Sequence, residues 1–385
     1  MHKPKGPSKS RAASAADVAR LAGVSRSAVS RTFTDGASVS TKTREKVLAA
    51  AEELNYHVNH LARGLSQEKS RPVCLLAANL DKPYHNLLLD ALTRQLQADG
   101  RMVMVINVSA DPTSAGEALN RALHYRAAAS IVMSGTPPEE MVQSCIKAGQ
   151  KVILINRHND LQDVHHIQID YAQAMQEAVE FFVQAGCQTL TLVSSSKGTP
   201  SLVARERFFI RSAQERGLQL TIWRGENTNY EDGQLAATTL LSKPTRDDGY
   251  FCITDLVACG FIDTATHEYH VDIPNDLCVL GFDDIPQASW KGYNLTTFAQ
   301  PYNAIAERVT DILNCDQVDL LDQETIQDGY QKSSQDGNQE SNEESSTNTE
   351  RQNHTQTEKR DLRSKLQAIP KWRRTVRSTE SRLEQ

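Results

Sequence analysis

From residue 73 onward, short apolar runs alternate with longer stretches whose apolar residues recur at three- and four-residue spacing. The runs fall at 73–77, 102–108, 130–133 and 151–155, with helical periodicity at 84–98, 114–127 and 138–148 between them. A second series places strands at 189–194, 219–223, 249–253 and 277–281, with helices at 204–216, 230–242 and 256–268. Strands that alternate with helices of this length predict parallel sheets with helices on both faces. Two such series predict two α/β subdomains separated by a cleft. Open parallel sheets bind ligands beyond the carboxyl ends of their strands.

The pattern before residue 72 is different. Asp17 to Leu65 reads as a short helix, a Gly-containing turn, a second short helix, a longer third helix and a small terminal one. Ser14 can cap the first helix, whose apolar face is Val18, Leu21 and Ala22. Gly23 breaks the pattern and Ser25 caps the second helix, where Ala28, Val29 and Thr32 or Phe33 face inward. Arg26, Ser27 and Arg31 then fall toward solvent, as in a recognition helix whose early side chains reach base edges. Ser40 or Thr41 caps the third helix, with Val47, Leu48, Ala51 and Leu54 as its core stripe.

Charge sharpens the division. The chain carries a net charge of −6, yet residues 1–71 hold 13 Lys or Arg against 6 Asp or Glu. That is a local excess of +7, leaving −13 for the remainder. A basic head on an acidic body attracts phosphate at one end only. The apolar runs are all too short to span a membrane. Lys3, Lys5, Lys9 and Arg11 are not followed by an apolar core, so no secretory signal is expected. The seven cysteines are scattered, without metal-site spacing, and are expected to be free thiols.

The residues Asp17–Val18–Ala19, Ala22–Gly23–Val24–Ser25 and Val29–Ser30–Arg31 resemble the head of the LacI/GalR family of bacterial transcription regulators. Asn59–His60–Leu61–Ala62–Arg63–Gly64–Leu65 resembles its hinge helix, and the likeness extends across residues 14–315. The resemblance implies an all-α helix-turn-helix head on an α/β body with a two-subdomain periplasmic-binding-protein-like fold. It implies base contacts from Arg26, Ser27 and Arg31. It places Leu65 as a minor-groove wedge, with Asn59, Ala62 and Arg63 in the same hinge. An ordinary packed leucine is the plainer reading of Leu65.

For the body, the resemblance implies a small effector in the cleft, contacted by Tyr84, His85, Arg157, Arg207, Asp255 and Gln300. His85 stands where the family carries an aromatic ring, and Lys82 where it commonly carries Asn. Asp255 also suits a helix N-cap, and Arg207 a surface ion pair. Asp283, in the GFDDIP turn, reads as a structural or interdomain residue. A sugar, a sugar acid or phosphate, or a purine fits these residue types. No GxGxxG or GxxxxGK[ST] loop follows the first strand. His165–His166 reads as a surface loop, and Ser194–Ser196 with Lys197 as a polar loop. No catalytic constellation, cofactor or metal site is expected.

The expected divisions are a flexible basic arm (1–13), the helix-turn-helix domain (14–58), the hinge and linker (59–71), the effector-binding and dimerisation body (72–330), and a polar, then basic, disordered tail (331–385). Three readings of the tail are open: a DNA-contacting arm, a protein-binding peptide, or a sequence without a selected role, as a late reading-frame change would leave. The function expected is that of a cytoplasmic, nucleoid-associated, homodimeric or higher-order repressor that binds double-stranded operator DNA. The rivals are a periplasmic-type solute receptor and a doubly wound α/β enzyme.

Overall fold

The computed structural model describes residues 13–34, 36–57, 71–109, 113–133, 135–157, 161, 163–315 and 362–377. The chain divides into two units, Met1–Arg71 and Pro72–Gln385. The expected hinge residues Asn59, Ala62, Arg63 and Leu65, and most of the basic arm, lie outside the described residues.

In the first unit, α1 (Ala15–Ala22), α2 (Arg26–Thr32) and α3 (Thr41–Glu53) surround a small core of Val18, Ala19, Val29, Val47, Ala50 and Ala51. Each helix starts on a serine whose hydroxyl accepts from an N–H of the first turn: Ser14, Ser25 and Ser40. Ser14 and Asp17 form a reciprocal capping box. Gly23 takes the left-handed conformation (φ 65°) that lets the chain turn sharply into α2. Arg44 donates to the Thr32 carbonyl at 2.9 Å, tying the end of α2 to α3. Leu21 and Leu48, expected in the core, are 45% and 46% exposed.

The second unit begins with β1 (Val73–Ala77), an apolar run buried along its whole length. Its neighbours are β2 (Val103–Asn107), β3 (Ala129–Val132), β4 (Lys151–Ile155) and β5 (Val164–Ile169), in the order β5-β4-β3-β1-β2, all parallel. Between them run α4 (Pro83–Ala98), α5 (Ser114–His124) and α6 (Glu139–Lys147). Two apolar clusters, one containing Leu75, Leu88 and Ile153 and the other Leu76, Leu119 and Val152, account for the buried strands of this first lobe. His165–His166, expected in a surface loop, instead lies within β5, and His166 is buried. Val164, Ile167 and Ile169 supply enough apolar character to carry the two histidines into the sheet.

The chain then crosses to a second lobe. It contains α7 (Tyr171–Gln184), β6 (Thr189–Ser195), α8 (Pro200–Glu215), β7 (Gln219–Gly225), α9 (Tyr230–Leu241), β8 (Gly249–Cys252), α10 (Asp255–His267), β9 (Cys278–Leu280) and β10 (Thr297–Ala299). Its sheet has the order β7-β6-β8-β9 and is parallel throughout. Helices α9 and α10 approach closely because Gly233 and Gly260 lie at their crossing. A Cβ on either would strike backbone atoms, the Val257 carbonyl or the Tyr230 carbonyl. The chain returns to the first lobe as α11 (302–315), whose Ile305, Val309 and Ile312 join that lobe's core.

The tail departs from expectation. Residues 362–377 are built into both lobes. β11 (Arg363–Leu366) adds a sixth parallel strand beside β5, and β12 (Ile369–Lys371) pairs antiparallel with β10. Ala368 and Val376 then enter the core of the second lobe, and Trp372 meets Phe181 edge-on with ring centres 4.4 Å apart. Arg377 donates to the carbonyls of Pro274 and Ala185 at 2.7 and 3.1 Å. A disordered tail over all of 331–385 is therefore incorrect for 362–377.

Candidate functional site

On the first unit, α2 presents Arg26, Ser27, Ser30 and Arg31 to solvent while Val29 and Thr32 face the core. The Ser25 and Ser27 hydroxyls lie 2.8 Å apart at the start of the helix. The expected placement of Arg26, Ser27 and Arg31 on one solvent-facing side is what the structure has. Arginines there can donate two hydrogen bonds to a guanine edge, and serines can bond to phosphate or base.

On the second unit, the strand ends of the two lobes enclose a cavity of about 620 Å³. From the first lobe it is lined by Asn79, Lys82, Tyr84, His85, Asn156 and Arg157, and from the second by Lys197, Ser201, Arg205, Asn227, Thr254 and Asp283, among others. These lie at the carboxyl ends of strands and the starts of the following helices, where open α/β sheets bind ligands. The volume is that of a small-molecule site.

The Asn156 amide donates to the Tyr84 hydroxyl at 3.3 Å, and Tyr84 stacks at an angle with His85, their ring centres 5.0 Å apart. His85 places Nδ1 3.2 Å from the Asn79 carbonyl, and burial pushes its pKa down, which favours the neutral ring. Arg157 donates to the Gly135 and Asn156 carbonyls at 2.9 and 3.1 Å. Burial lowers its pKa as well, a sign that its charge is partly desolvated. Tyr84, His85 and Arg157 are thus in the cavity wall, as expected.

The other three expected contacts are not. Arg207 is exposed on α8, with its guanidinium over the Phe208 ring at 4.6 Å, and the cavity arginine is Arg205, two residues earlier. Two residues along a helix rotate a side chain by about 200°. Arg205 is buried, donates to the Ile253 carbonyl at 2.6 Å, and lies over the Phe282 ring at 4.5 Å. Asp255 is fully buried and does not line the cavity. It accepts from the Thr297 hydroxyl at 2.6 Å and the Ile285 N–H at 2.9 Å. Its neighbour Thr254 lines the cavity and caps α10. Burial and the nearby Asp283 push the Asp255 carboxyl up to about 8.

Gln300 is buried behind the cavity wall. It donates to Asp283 Oδ1 at 2.5 Å and orients that carboxylate. Asp283, expected to be a structural or interdomain residue, is the acidic residue of the wall, 3.5 Å from Arg205. Burial raises its pKa to about 6, opposed by Arg205 and by the Gln300 bond. Its backbone is held at φ 129°, a conformation rare for a side-chain-bearing residue and common at binding sites. Tyr171 Oη and Gln300 Oε1 are buried without a hydrogen-bond partner among the described residues. Such groups cost free energy unless a ligand or water satisfies them.

Sequence reading did not place Lys197, Ser201 and Asn227 in the cavity wall. The available signal was their place in the segments between a predicted strand and the helix that follows it, or at that helix's start. Among the described residues, no group of three or more His, Cys, Asp or Glu could hold a metal. No helix among them is long and apolar enough to cross a membrane.

A helix-turn-helix unit followed by a two-lobed binding body defines a ligand-responsive DNA-binding protein. The family model for bacterial regulatory proteins of the lacI family matches residues 15–59, and that for a periplasmic binding protein-like domain matches 179–325. Catabolite control protein A of Priestia megaterium is 30% identical over 315 residues, which cover 79% of this chain and 93% of that protein. The HTH-type transcriptional regulator GalR of Escherichia coli K12 is 25% identical over 299 residues, covering 77% and 87%. The Lac repressor dimer solved with operator and the anti-inducer ONPF superposes with a TM-score of 0.72 at 22% identity, over 80% of this chain and 93% of that one. The chain belongs to the LacI family of bacterial regulatory proteins and is a DNA-binding transcriptional regulator. That membership does not favour the receptor or enzyme readings.

Proposed function

We propose that this regulator is a repressor that acts as a homodimer on a roughly palindromic operator and is controlled by a small polar effector in the interlobe cleft. Two copies of α2 enter successive major grooves, with Arg26, Ser27 and Arg31 at base edges. Asn59, Ala62, Arg63 and Leu65 form the hinge at the central minor groove. The solved Lac repressor dimer carries both operator and a small ligand, which supports this division of labour.

The observation that carries the proposal is the cleft itself. Residues from two lobes converge on a cavity of about 620 Å³, and three separate chain segments, at 170–171, 299–302 and 366–369, cross between the lobes. A ligand that touches both lobes binds one interlobe angle better than another and so shifts the population between DNA-competent and incompetent states. Arg205, Asp283, Tyr84, His85 and Arg157 are the residues assigned to it. The chain acts in the cytoplasm, on DNA, and performs no catalysis.

The test is a gel shift on the DNA upstream of its own gene, repeated across a range of salt. Expected is a specific band whose affinity falls steeply with salt as phosphate contacts displace counterions. Absence of a specific band at low salt overturns the regulator reading for this DNA and this mode of action.

A further inference from the structure

The cleft carries an unbalanced charge. Its lining includes four cations, Lys82, Arg157, Lys197 and Arg205, and among the described lining residues only Asp283 is acidic. Arg205 is matched by Asp283 at 3.5 Å. Arg157 gives its Nε–H and one Nη1–H to two carbonyls, and no ion pair joins it, Lys82 or Lys197 to a carboxylate among the described residues. Asp81 and Glu226 are near the rim in sequence, but both are exposed and neither lines the cavity.

The backbone adds to this. Helices α4 and α8, each 16 residues long, start at the cavity from opposite lobes, and both lack a side-chain cap. Helices α5 and α6 also lack a side-chain cap, whereas α7, α9 and α10 are capped by Asp170, Asn229 and Thr254. An uncapped helix start exposes unsatisfied N–H groups and the positive end of the helix dipole. Uncompensated cations and open helix starts face one cleft from two sides, an arrangement that binds an anion.

We propose that the effector is a small anion, a phosphate or carboxylate on a polar frame, held by Lys82 and Arg157 of the first lobe and Lys197 of the second. This rests on the reading of the cleft as the effector site. It also gives the switch a physical origin. Like charges on facing lobes repel when the cleft is empty, and an anion between them reverses the sign of that interaction. Lobe closure is thereby coupled to the charge of the ligand.

The test uses the full chain at constant ionic strength. Inorganic phosphate is titrated against chloride, read by thermal stability and by 31P line broadening, and calorimetry compares glucose 6-phosphate and gluconate with glucose. Expected is saturable binding of at least one anion, with roughly tenfold or greater preference over glucose. Lys82→Gln and Lys197→Gln should each weaken it roughly tenfold, and Arg207→Gln, outside the cavity, should not. Phosphate and glucose 6-phosphate without gluconate assigns a phosphate, and gluconate alone assigns a carboxylate. Saturation by none of the three, equal binding of glucose, or binding unchanged in the Lys82→Gln/Lys197→Gln double variant overturns the proposal. A chain that shifts its DNA but binds no anion refutes this inference alone. One that binds anions but shifts no DNA refutes the regulator reading alone.

Discussion

Replacing Arg373 with alanine should destabilise the body, although the residue lies near the end of the chain and far in sequence from its partners. Its guanidinium donates to Asp284 at 2.6 Å and to the Leu295 carbonyl at 2.9 Å, and the two side chains are only 18% and 20% exposed. The substitution deletes a charge-assisted bond and a bond to a carbonyl, and leaves the Asp284 carboxylate mostly buried without its cation. Bonds to charged groups contribute about 1.5–3 kcal/mol and a neutral one about 1, so the expected loss is about 2–4 kcal/mol. The backbone N–H of residue 373, which donates to the Thr296 hydroxyl at 3.0 Å, is unaffected and keeps the segment in register. Urea unfolding followed by far-UV circular dichroism and by tryptophan fluorescence, with Trp372 adjacent, would measure the change in the body transition. A loss below about 0.5 kcal/mol, the range of an ordinary surface substitution, would refute the conclusion that 362–377 belongs to the folded body.

Other outcomes follow from the same contacts. Replacing 316–361 with an eight-residue Gly/Ser linker should leave the body folded. Arg308 bonds to Ser364 at 2.8 Å, so the helix end at 315 lies on the order of 10 Å from β11, while the linker spans up to about 27 Å. The shorter loop should even add about 1.5 kcal/mol in urea unfolding, whereas a stop after 361 should abolish the cooperative transition. Arg26→Ala and Arg31→Ala should each cost about 1–3 kcal/mol of specific DNA binding in gel shifts, with the melting temperature unchanged. Arg205→Ala should remove the effector response of operator binding in titrations, while Arg207→Ala, whose side chain is exposed on α8, should retain it. Because the folded Asp255 carboxyl sits at about 8, far above its value of about 3.9 in an unfolded chain, the folded state holds a proton that the unfolded state has lost. Its contribution to stability is full below about pH 4 and is lost as pH rises toward 8; unfolding midpoints at pH 5.5 and 8 should converge in Asp255→Asn, and an unchanged slope would count against the assignment.

Some of this was legible in the sequence because the information is local. The three serine caps of the head, the left-handed Gly23 turn and the solvent-facing Arg26, Ser27 and Arg31 follow from hydrogen-bonding capacity and helical spacing within a few residues. The continuous apolar run at Val73–Ala77 suits a strand covered on both faces, and its alternation with helical stretches predicts a parallel sheet with flanking helices. The cleft followed from the rule that strand ends carry the ligand, whereas the placement of Tyr84, His85 and Arg157 in its wall followed from the family resemblance.

What only tertiary structure decided depends on packing between distant segments. Arg205 and Arg207 are both arginines on one helix, and which of them meets the cavity depends on which face of α8 is buried against the sheet. Asp255 turns inward because Thr297 and Ile285, more than 29 residues away in sequence, offer donors that stabilise it there. Gln300 likewise acts through Asp283 rather than on the cavity directly. The segment 362–377 shows the limit most plainly. Arg363–Leu366 carries no apolar run, and an edge strand is held mainly by backbone bonds to its neighbour, here β5, nearly 200 residues earlier. Local sequence therefore determined the elements and the two kinds of domain, and long-range pairing determined which side chains face the ligand and where the chain closes its own sheets.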